Sequence, residues 1–221
     1  MGKKKLQRFA ENKKFKHVLE PRILYPPVDH EMKGQWNKNF FVKNQPIVLE
    51  LGCGRGEYTV NLANYQANKN YIGIDIKGAR IWRGAKTVEE KNMSNVGFLR
   101  TEVELIENFF APGEVSEIWI TFPDPQPQRS REKKRLTSPR FLNIYRNICS
   151  RQGVIHLKTD NKPFYNYSLE VVKSQGLERE FFTDDLYGSI SHDEILSIQT
   201  TYERKFRDQG FNICYLRFKI K

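Results

Sequence analysis

A glycine-rich segment flanked by acidic residues is the first part of the chain that could do chemistry. It reads VLELGCGRGE, residues 48–57, with Glu50 before Gly52, Gly54 and Gly56. Glycines permit a tight strand-to-helix turn and let a ligand lie against the backbone without meeting a Cβ atom. The spacing G-x-G-x-G departs from the dinucleotide fingerprint G-x-G-x-x-G, and Glu57 stands at the place of its third glycine. Because a carboxylate there would repel a diphosphate, the pattern favours a ligand without phosphates.

A second acidic residue follows the next predicted strand. Asp75 comes 21 residues after Gly54, where a carboxylate can accept hydrogen bonds from both ribose hydroxyls. A nucleoside without phosphates over such a turn describes S-adenosylmethionine, and Glu50 would help to hold its positively charged amino-acid end. Glu102, after the third predicted strand, could reach the adenine amino group, although it also fits an ordinary solvated face. The alternative, a structural glycine turn in an unrelated α/β protein, leaves the combination of Glu50, the glycines and Asp75 unexplained.

The fourth predicted strand runs into a proline-rich loop, TFPDPQPQ, and then into a basic stretch, residues 129–135. In a doubly wound sheet, strands one and four are neighbours where the strand order reverses, and ligands bind beyond their carboxyl ends. Asp124 in this loop should therefore face the same crevice as the glycine turn. The prolines stiffen the backbone around it. The basic stretch would place phosphate-neutralising charge at the mouth of the crevice, which predicts a nucleic acid substrate with its base beside Asp124.

Hydrophobic patterning predicts the elements that position these residues. From residue 46 onward, short β-branched or aromatic runs alternate with segments of helical period. This rhythm predicts an α/β fold, a doubly wound and mainly parallel seven-stranded sheet with helices on both faces. Residues 1–45 lack it and are predicted to form a basic N-terminal arm and an irregular lead-in before a domain of residues 46–221. The predicted strands are 47–51, 71–75, 96–100, 117–122, 154–159, 177–183 and 211–220, and the predicted helices are about 58–65, 79–93, 139–149, 163–175 and 201–209.

Charge and composition narrow the class of partner. The 221 residues carry 37 Lys and Arg against 26 Asp and Glu, a net charge of +11, and the surplus sits in residues 1–20 and 129–151. Such clusters indicate a polyanion, either nucleic acid or an anionic membrane surface, or else a solubilising face. No apolar run approaches the roughly 20 residues of a membrane span. Three cysteines without pair spacing argue against a disulfide framework and a metal site, and the N-terminus lacks a secretory signal, so a cytoplasmic location is expected.

Six segments, in this order and at these distances, resemble the bacterial tRNA (guanine-N7-)-methyltransferase family: LELGCGRGEY, YIGIDIKGA, ITFPDPQP, REKKRLT, IHLKTDN and TTYERKF. The resemblance covers roughly residue 33 to the C-terminus. It implies a Rossmann-like, class I S-adenosylmethionine-dependent methyltransferase, and the sequence leaves open whether the protein is a monomer or a homodimer. The implied reaction methylates N7 of a guanine in tRNA, at position 46 of the variable loop, with no metal and no membrane involved.

The resemblance also implies a role for each matching position. The implied active-site residue is Asp124. The cofactor contacts would be Glu50, Gly52, Gly54, Asp75, Glu102 and Asp124, the guanine contacts Gln128, Asp160, Thr200, Thr201, Tyr202 and Glu203, and the RNA contacts Arg129, Ser130, Arg131, Glu132, Lys133, Lys134 and Arg135. Two residues depart from the pattern, since many members have Trp at the position of Gln126 and a Lys at that of Gln128. Arg129 could supply the missing cation.

Methylation of guanine N7 needs alignment more than a base, because N7 already presents an in-plane lone pair. A carboxylate that accepts hydrogen bonds from the guanine N1–H and amino group would stabilise the developing purine cation. Asp124 and Asp160 both fit, and the sequence does not choose between them. Three other classes share part of this pattern: an NAD-dependent oxidoreductase, a non-catalytic RNA-binding protein on this fold, and another RNA base methyltransferase, such as one acting on the adenine amino group. The glycine spacing disfavours the oxidoreductase, and the intact acidic set disfavours the non-catalytic protein. A methyltransferase acting on the adenine amino group usually has an Asp/Asn-Pro-Pro-aromatic loop, and the aromatic residue is missing here.

Overall fold

Strands and helices alternate along most of the chain. The computed structural model describes residues 3–22, 24–191 and 193–221; residues 1, 2 and 23 of the predicted arm and lead-in, and residue 192, lie outside the described residues. The strands are β1 (Val18–Leu19), β2 (Ile47–Leu51), β3 (Asn70–Ile74), β4 (Val96–Leu99), β5 (Val115–Thr121), β6 (Cys149–Thr159), β7 (Arg179–Thr183) and β8 (Cys214–Lys219). The α-helices are α1 (Lys3–Asn12), α2 (Glu57–Tyr65), α3 (Gly78–Glu90), α4 (Pro139–Ile148), α5 (Lys162–Ser174), α6 (Leu186–Ser189) and α7 (Thr201–Asp208).

Within the described ranges, eight strands form one sheet in the order β1-β4-β3-β2-β5-β6-β8-β7. Pairing is parallel from β1 to β6, and β8 runs antiparallel to both β6 and β7. The predicted doubly wound α/β fold is confirmed, with β2 and β5 as neighbours where the strand order reverses. The sheet has one strand more than predicted, because β1 is two residues long and too short to show a period.

Helices cover both faces of this sheet. Side chains of α4 and α5 pack against one face together with Ile47, Leu49 and Leu51 of β2. Side chains of α2 and α3 pack against the other face together with Val48. We call these the α4 face and the α2 face. Since alternate residues of a strand point to opposite faces, Glu50 lies on the α2 face, and every residue of β2 is buried.

The N-terminal segment adds regular structure that the sequence pattern did not predict. Helix α1 packs on α3: the indole of Trp82 donates to Glu11 at 2.5 Å, and the Arg8 guanidinium lies 4.7 Å from the centre of the Trp82 ring. The amide of Asn12 donates to the carbonyl of Gly78 at 2.9 Å. Strand β1 then pairs with β4 at the edge of the sheet. Part of the predicted arm thus covers the start of α3, while the division at residue 45 stays a prediction.

Short helices complete the described chain. A π-helix spans Trp36–Phe40, and 3₁₀-helices span Val103–Asn108 and Arg129–Lys134, the second within the basic stretch. Among the described residues, none of the helices combines the length and the apolar character that a bilayer crossing requires. The same part of the chain holds no group of three or more His, Cys, Asp or Glu side chains arranged to bind a metal ion.

Candidate active site

The glycine turn joins the carboxyl ends of β2 and β3. The backbone N–H groups of Gly52 and Cys53 donate to the carbonyl of Ile74 at 2.8 and 2.9 Å. Gly52 has a φ of +73°, and a Cβ atom added there would meet nothing within 4 Å, so its outer surface is open to a ligand. Gly56 has a different role, because a Cβ at this φ of +67° would lie 2.5 Å from the ring of Phe98. Its small size allows the turn to pack on the core.

Glu50 is buried beneath this turn. Its carboxylate accepts hydrogen bonds from the Thr121 hydroxyl at 2.6 Å, from the Thr59 N–H at 2.8 Å and from the Thr59 hydroxyl. Burial raises the pKa of Glu50 to about 7, while the hydrogen bonds from Thr121 and Thr59 act in the opposite direction. Glu50 therefore fixes the turn to both β5 and α2, and it lines the cavity described below. The sequence pattern identified Glu50 but gave no signal for its two threonine partners.

Asp75 and Glu102 follow β3 and β4 at the same edge of the sheet. The Asp75 carboxylate accepts from the N–H of Gly54 at 2.9 Å and from that of Lys77 at 2.7 Å. These bonds hold it against the glycine turn. Glu102 accepts from the Tyr25 hydroxyl at 3.4 Å. Both carboxylates lie at the strand ends where the sequence placed them, and their contacts with a cofactor stay predictions.

The Pro-Asp-Pro loop leaves β5 with an unusual backbone. Phe122 and Gln126 have φ values of +48° and +45°, a region in which non-glycine residues are rare and which clusters at functional sites. The Phe122 N–H donates to the carbonyl of Lys158 at 2.8 Å, which holds the loop on β6. The exposed Asp124 carboxylate accepts from the Gln126 N–H at 3.1 Å through one of its oxygens. Asp124 is thus oriented by its own loop and is open to solvent.

The basic stretch contains residues of two kinds. The guanidinium of Arg135 lies 4.3 Å from the centre of the Tyr167 ring and donates to the carbonyl of Gln126 at 3.2 Å. Arg135 therefore braces the Pro-Asp-Pro loop. The side chains that stay exposed are Gln128, Arg129, Ser130, Arg131, Lys133 and Lys134, and Glu132 is half-buried. The exposed cations remain the predicted RNA contacts, whereas the geometry gives Arg135 a structural role.

Helix α7 is attached to the glycine turn through Glu57. The Glu57 carboxylate accepts from the backbone N–H of Thr201 at 2.6 Å and from its hydroxyl at 2.8 Å. The Thr200 hydroxyl caps the same helix by accepting from the N–H of Glu203 at 3.0 Å. The sequence marked Glu57 merely as a replaced glycine. Its contact with a residue 144 positions away is visible in the tertiary structure alone.

Glu203 points into the protein instead of toward the crevice. Its carboxylate and the Lys158 ammonium, both fully buried, are 2.8 Å apart, and the Tyr187 hydroxyl donates to the same carboxylate oxygen at 2.7 Å. Lys158 also donates to the carbonyls of Leu196 and Ile198. The resemblance implies a guanine contact for Glu203; that contact stays a prediction, and the structure places the carboxylate in a buried ion pair. The sequence contained one signal for this ion pair, because Lys158 stands in the apolar run IHLK and a buried lysine needs a partner.

Tyr202 lies on the outer side of α7. Its ring centre is 5.5 Å from that of Phe122 and 4.4 Å from that of Phe206, and about half of the side chain is exposed. Burial raises the pKa of Tyr202, and the nearby Asp160 carboxylate adds to this. Burial also raises the pKa of Asp160 itself. The contact with Phe122 places Tyr202 beside the start of the Pro-Asp-Pro loop, and the guanine contacts of Tyr202 and Asp160 stay predictions.

These elements enclose a cavity of about 440 Å³ at the carboxyl ends of β2 and β5. Six of the predicted site residues line it: Glu50, Gly52, Gly54, Thr200, Thr201 and Tyr202. The other predicted cofactor and guanine contacts, Asp75, Glu102, Asp124, Gln128, Asp160 and Glu203, lie outside the lining, as do the predicted RNA contacts at 129–135. Cys53 also lines the cavity, and burial raises the pKa of its thiol well above the ordinary value, which favours the neutral thiol.

The residues present fit S-adenosylmethionine. The open backbone at Gly52 provides a surface against which the cofactor can lie, and the Asp75 carboxylate stands beside it at the end of β3. The buried Glu50 carboxylate suits a positively charged amino-acid end. A diphosphate fits poorly, because Glu57 stands in the first turn of α2 and lines the cavity with a negative charge that would repel phosphate.

Comparison with known proteins agrees with this geometry. The sequence profile of a family described as "Putative methyltransferase" matches residues 44–216. The tRNA (guanine-N(7)-)-methyltransferase of Christiangramia forsetii is 51% identical over 100% of this chain and 99% of its own length. The enzyme of the same name from Bacteroides thetaiotaomicron is 49% identical over 100% of this chain and 87% of its own length.

Solved structures show the same fold at low identity. The 16S rRNA methyltransferase KamB is similar with a TM-score of 0.65 and 13% identity, over 93% of this chain and 99% of that one. A geranyl diphosphate methyltransferase in complex with SAM has a TM-score of 0.55 and 15% identity, over 80% of this chain and 79% of that one. At such identity these structures support the fold, whereas the full-length sequence matches carry the family. On those matches, this chain belongs to the tRNA (guanine-N7-)-methyltransferase family.

Proposed function

We propose that this protein transfers the methyl group of S-adenosylmethionine to N7 of a guanine in tRNA, giving N7-methylguanosine. The family supports this reaction, and the resemblance favours the guanine at position 46 of the variable loop as the target. The enzyme would act in the cytoplasm, where tRNA is matured. One observation supports the proposal: a cavity with an open glycine backbone lies between β2 and β5 and is lined by Phe122, the residue from which the Asp124 loop leads into the exposed basic stretch.

The cofactor-side residues would act by binding and orientation. S-adenosylmethionine, when bound, supplies an electrophilic methyl group on a sulfonium. Glu50 and Asp75 would hold its charged end and its ribose, and the open backbone of Gly52 allows a close approach. Holding two reactants in line can account for roughly 7–11 kcal/mol of a barrier in favourable cases. Alignment is therefore the main contribution expected from this chain.

The guanine-side residues would orient the base and stabilise its charge. Because N7 carries a free lone pair, no proton leaves the attacking atom, and the described residues that line the cavity include no histidine. Asp124 and Asp160 end neighbouring strands and would accept hydrogen bonds from the guanine N1–H and amino group. Tyr202, half exposed on α7 and next to Phe122, would stack on the base. Because N7 lies in the deep, narrow groove of A-form RNA, the target base must leave its stack to be reached.

The test of the proposal is chemical mapping of the product. The protein is incubated with labelled S-adenosylmethionine and unmodified tRNA, and the product is cleaved with borohydride and aniline, which break chains at N7-methylguanosine. We expect label in tRNA and a single cleavage at position 46. Asp124→Asn, which keeps the size and exposure of the side chain, is expected to abolish the label while the thermal melting curve stays unchanged. Label at another atom, or full turnover of the Asp124→Asn variant, would contradict the proposal.

A further inference from the structure

Three basic side chains that line the cavity have no role in the proposed reaction. Arg55 lies in the glycine turn, Arg80 in the first turn of α3 and Lys205 on α7, and all three line the cavity. We call these three residues the cationic rim. Each side chain is exposed. Within the described residues, none of the three is part of an ion pair.

The acidic residues of the cavity do not neutralise this rim. Glu50 is buried and accepts its hydrogen bonds from Thr59 and Thr121. Glu57 uses both carboxylate oxygens on Thr201. Since no other carboxylate among the described residues lines the cavity, three cations stand against two acidic groups, and the cavity carries a net positive charge. Such a site attracts anions.

The cationic rim and the basic stretch lie on opposite sides of the sheet edge. Arg55 and Arg80 belong to the turns that lead into α2 and α3, and Lys205 belongs to α7, which Glu57 fastens beside α2. The basic stretch instead leads into α4, on the other face. A chain of phosphates that passes over the cavity from the α4 face to the α2 face would therefore meet the basic stretch first and the cationic rim second.

We propose that Arg55, Arg80 and Lys205 bind phosphodiester groups of the tRNA backbone on the far side of the target guanine from the basic stretch. This inference rests on the proposed function, because it assigns a second binding surface for the same tRNA substrate. The two cationic surfaces hold the backbone on either side of one nucleotide, which is the arrangement that lets a base be presented from a loop. A carboxylate is the competing anion, and the cofactor carries one at its amino-acid end.

The test uses the full-length protein with Arg55→Gln, Arg80→Gln and Lys205→Gln combined. Three lost phosphate contacts should weaken tRNA binding at least about tenfold at 0.1 M salt and make the slope of log K against log salt shallower by roughly 2–3. S-adenosylmethionine affinity, measured by calorimetry without RNA, should stay unchanged. A matched control changes Lys38, Lys91 and Lys173 to Gln. These lysines are exposed at the opposite edge of the sheet, so their substitution removes the same amount of charge away from the cavity.

The outcomes separate the possibilities. A lower cofactor affinity with an unchanged salt slope would overturn the inference and assign the rim to the cofactor carboxylate. An equal loss of tRNA affinity in the control variant would also overturn it, because net charge alone would then explain the effect. Methylation of tRNA by the unaltered protein is measured in parallel. If that protein methylates N7 and the rim variant keeps its salt slope, the inference fails while the proposed function stands; if the unaltered protein does not methylate, the proposed function fails.

Discussion

Replacing Glu203 with Gln separates a structural role from a guanine contact. The carboxylate and its partner Lys158 are fully buried 2.8 Å apart, so Glu203→Gln leaves an ammonium in the interior without its counter-charge. Removing one partner of a buried pair costs about 3–5 kcal/mol. Lys158 would still donate to the carbonyls of Leu196 and Ile198 and to the new amide oxygen. We therefore expect a loss of unfolding free energy near the lower limit of this range.

This loss is measurable as a shift in unfolding. For a chain of this size, about 3 kcal/mol corresponds to roughly 6–12 °C in melting temperature. The assay is thermal and urea unfolding of the unaltered protein, of Glu203→Gln, of Lys158→Met and of the double variant Lys158→Met/Glu203→Met. The double variant should be more stable than either single variant, because it removes both buried charges. Tyr202→Phe, on the same helix but outside the pair, is the matched control.

The pH dependence gives an independent check. Burial already lowers the pKa of Lys158, while the Glu203 carboxylate opposes that shift. Without the carboxylate, the folded-state pKa of Lys158 falls further below its unfolded value, so the unfolded chain binds more protons in the interval between the two. Stability of Glu203→Gln should therefore rise with pH through that interval. A melting temperature within 2 °C of the unaltered protein, together with a raised KM for tRNA, would refute the buried-pair reasoning and support Glu203 as a direct guanine contact.

Three further predictions concern the cofactor side, helix α7 and the RNA surface. Because the folded-state pKa of Glu50 is raised to about 7, the free energy of unfolding of the cofactor-free protein should fall by up to about 3 kcal/mol as the pH rises from 4.5 to 8. Glu50→Gln should remove this pH dependence of the melting temperature and should weaken cofactor binding. Glu57→Ala frees the N-terminus of α7 and should raise KM for tRNA more than it lowers kcat, with partial recovery in Glu57→Gln, as steady-state kinetics can show. Changing Arg131, Lys133 and Lys134 to Gln should make the salt slope of tRNA binding shallower by roughly 2–3 at constant cofactor affinity; an unchanged slope would exclude this surface as an RNA contact.

The core of the fold was predictable because its signals are local. Strand β2 has the predicted bounds, and the predicted strands and helices differ from the structure mostly by one to three residues. Apolar runs, helical periods and glycines act over a few neighbouring residues, so the sequence contains them directly. The larger differences have tertiary causes. Strand β6 begins at Cys149, where it pairs with Val115 beside an irregularity in register, and α1 depends on its contacts with Trp82.

The sequence by itself determined which chemistry is present: a glycine turn, carboxylates at successive strand ends and two basic segments. The tertiary structure alone decided how these groups are used. Glu57 meets Thr201 across 144 positions, and Lys158 meets Glu203 in the interior. Arg55, Arg80 and Lys205 gather at one cavity from three elements. The physical reason is that hydrogen bonds and ion pairs act over a few ångströms in space, and packing of the sheet and helices, rather than spacing along the chain, sets which residues come that close.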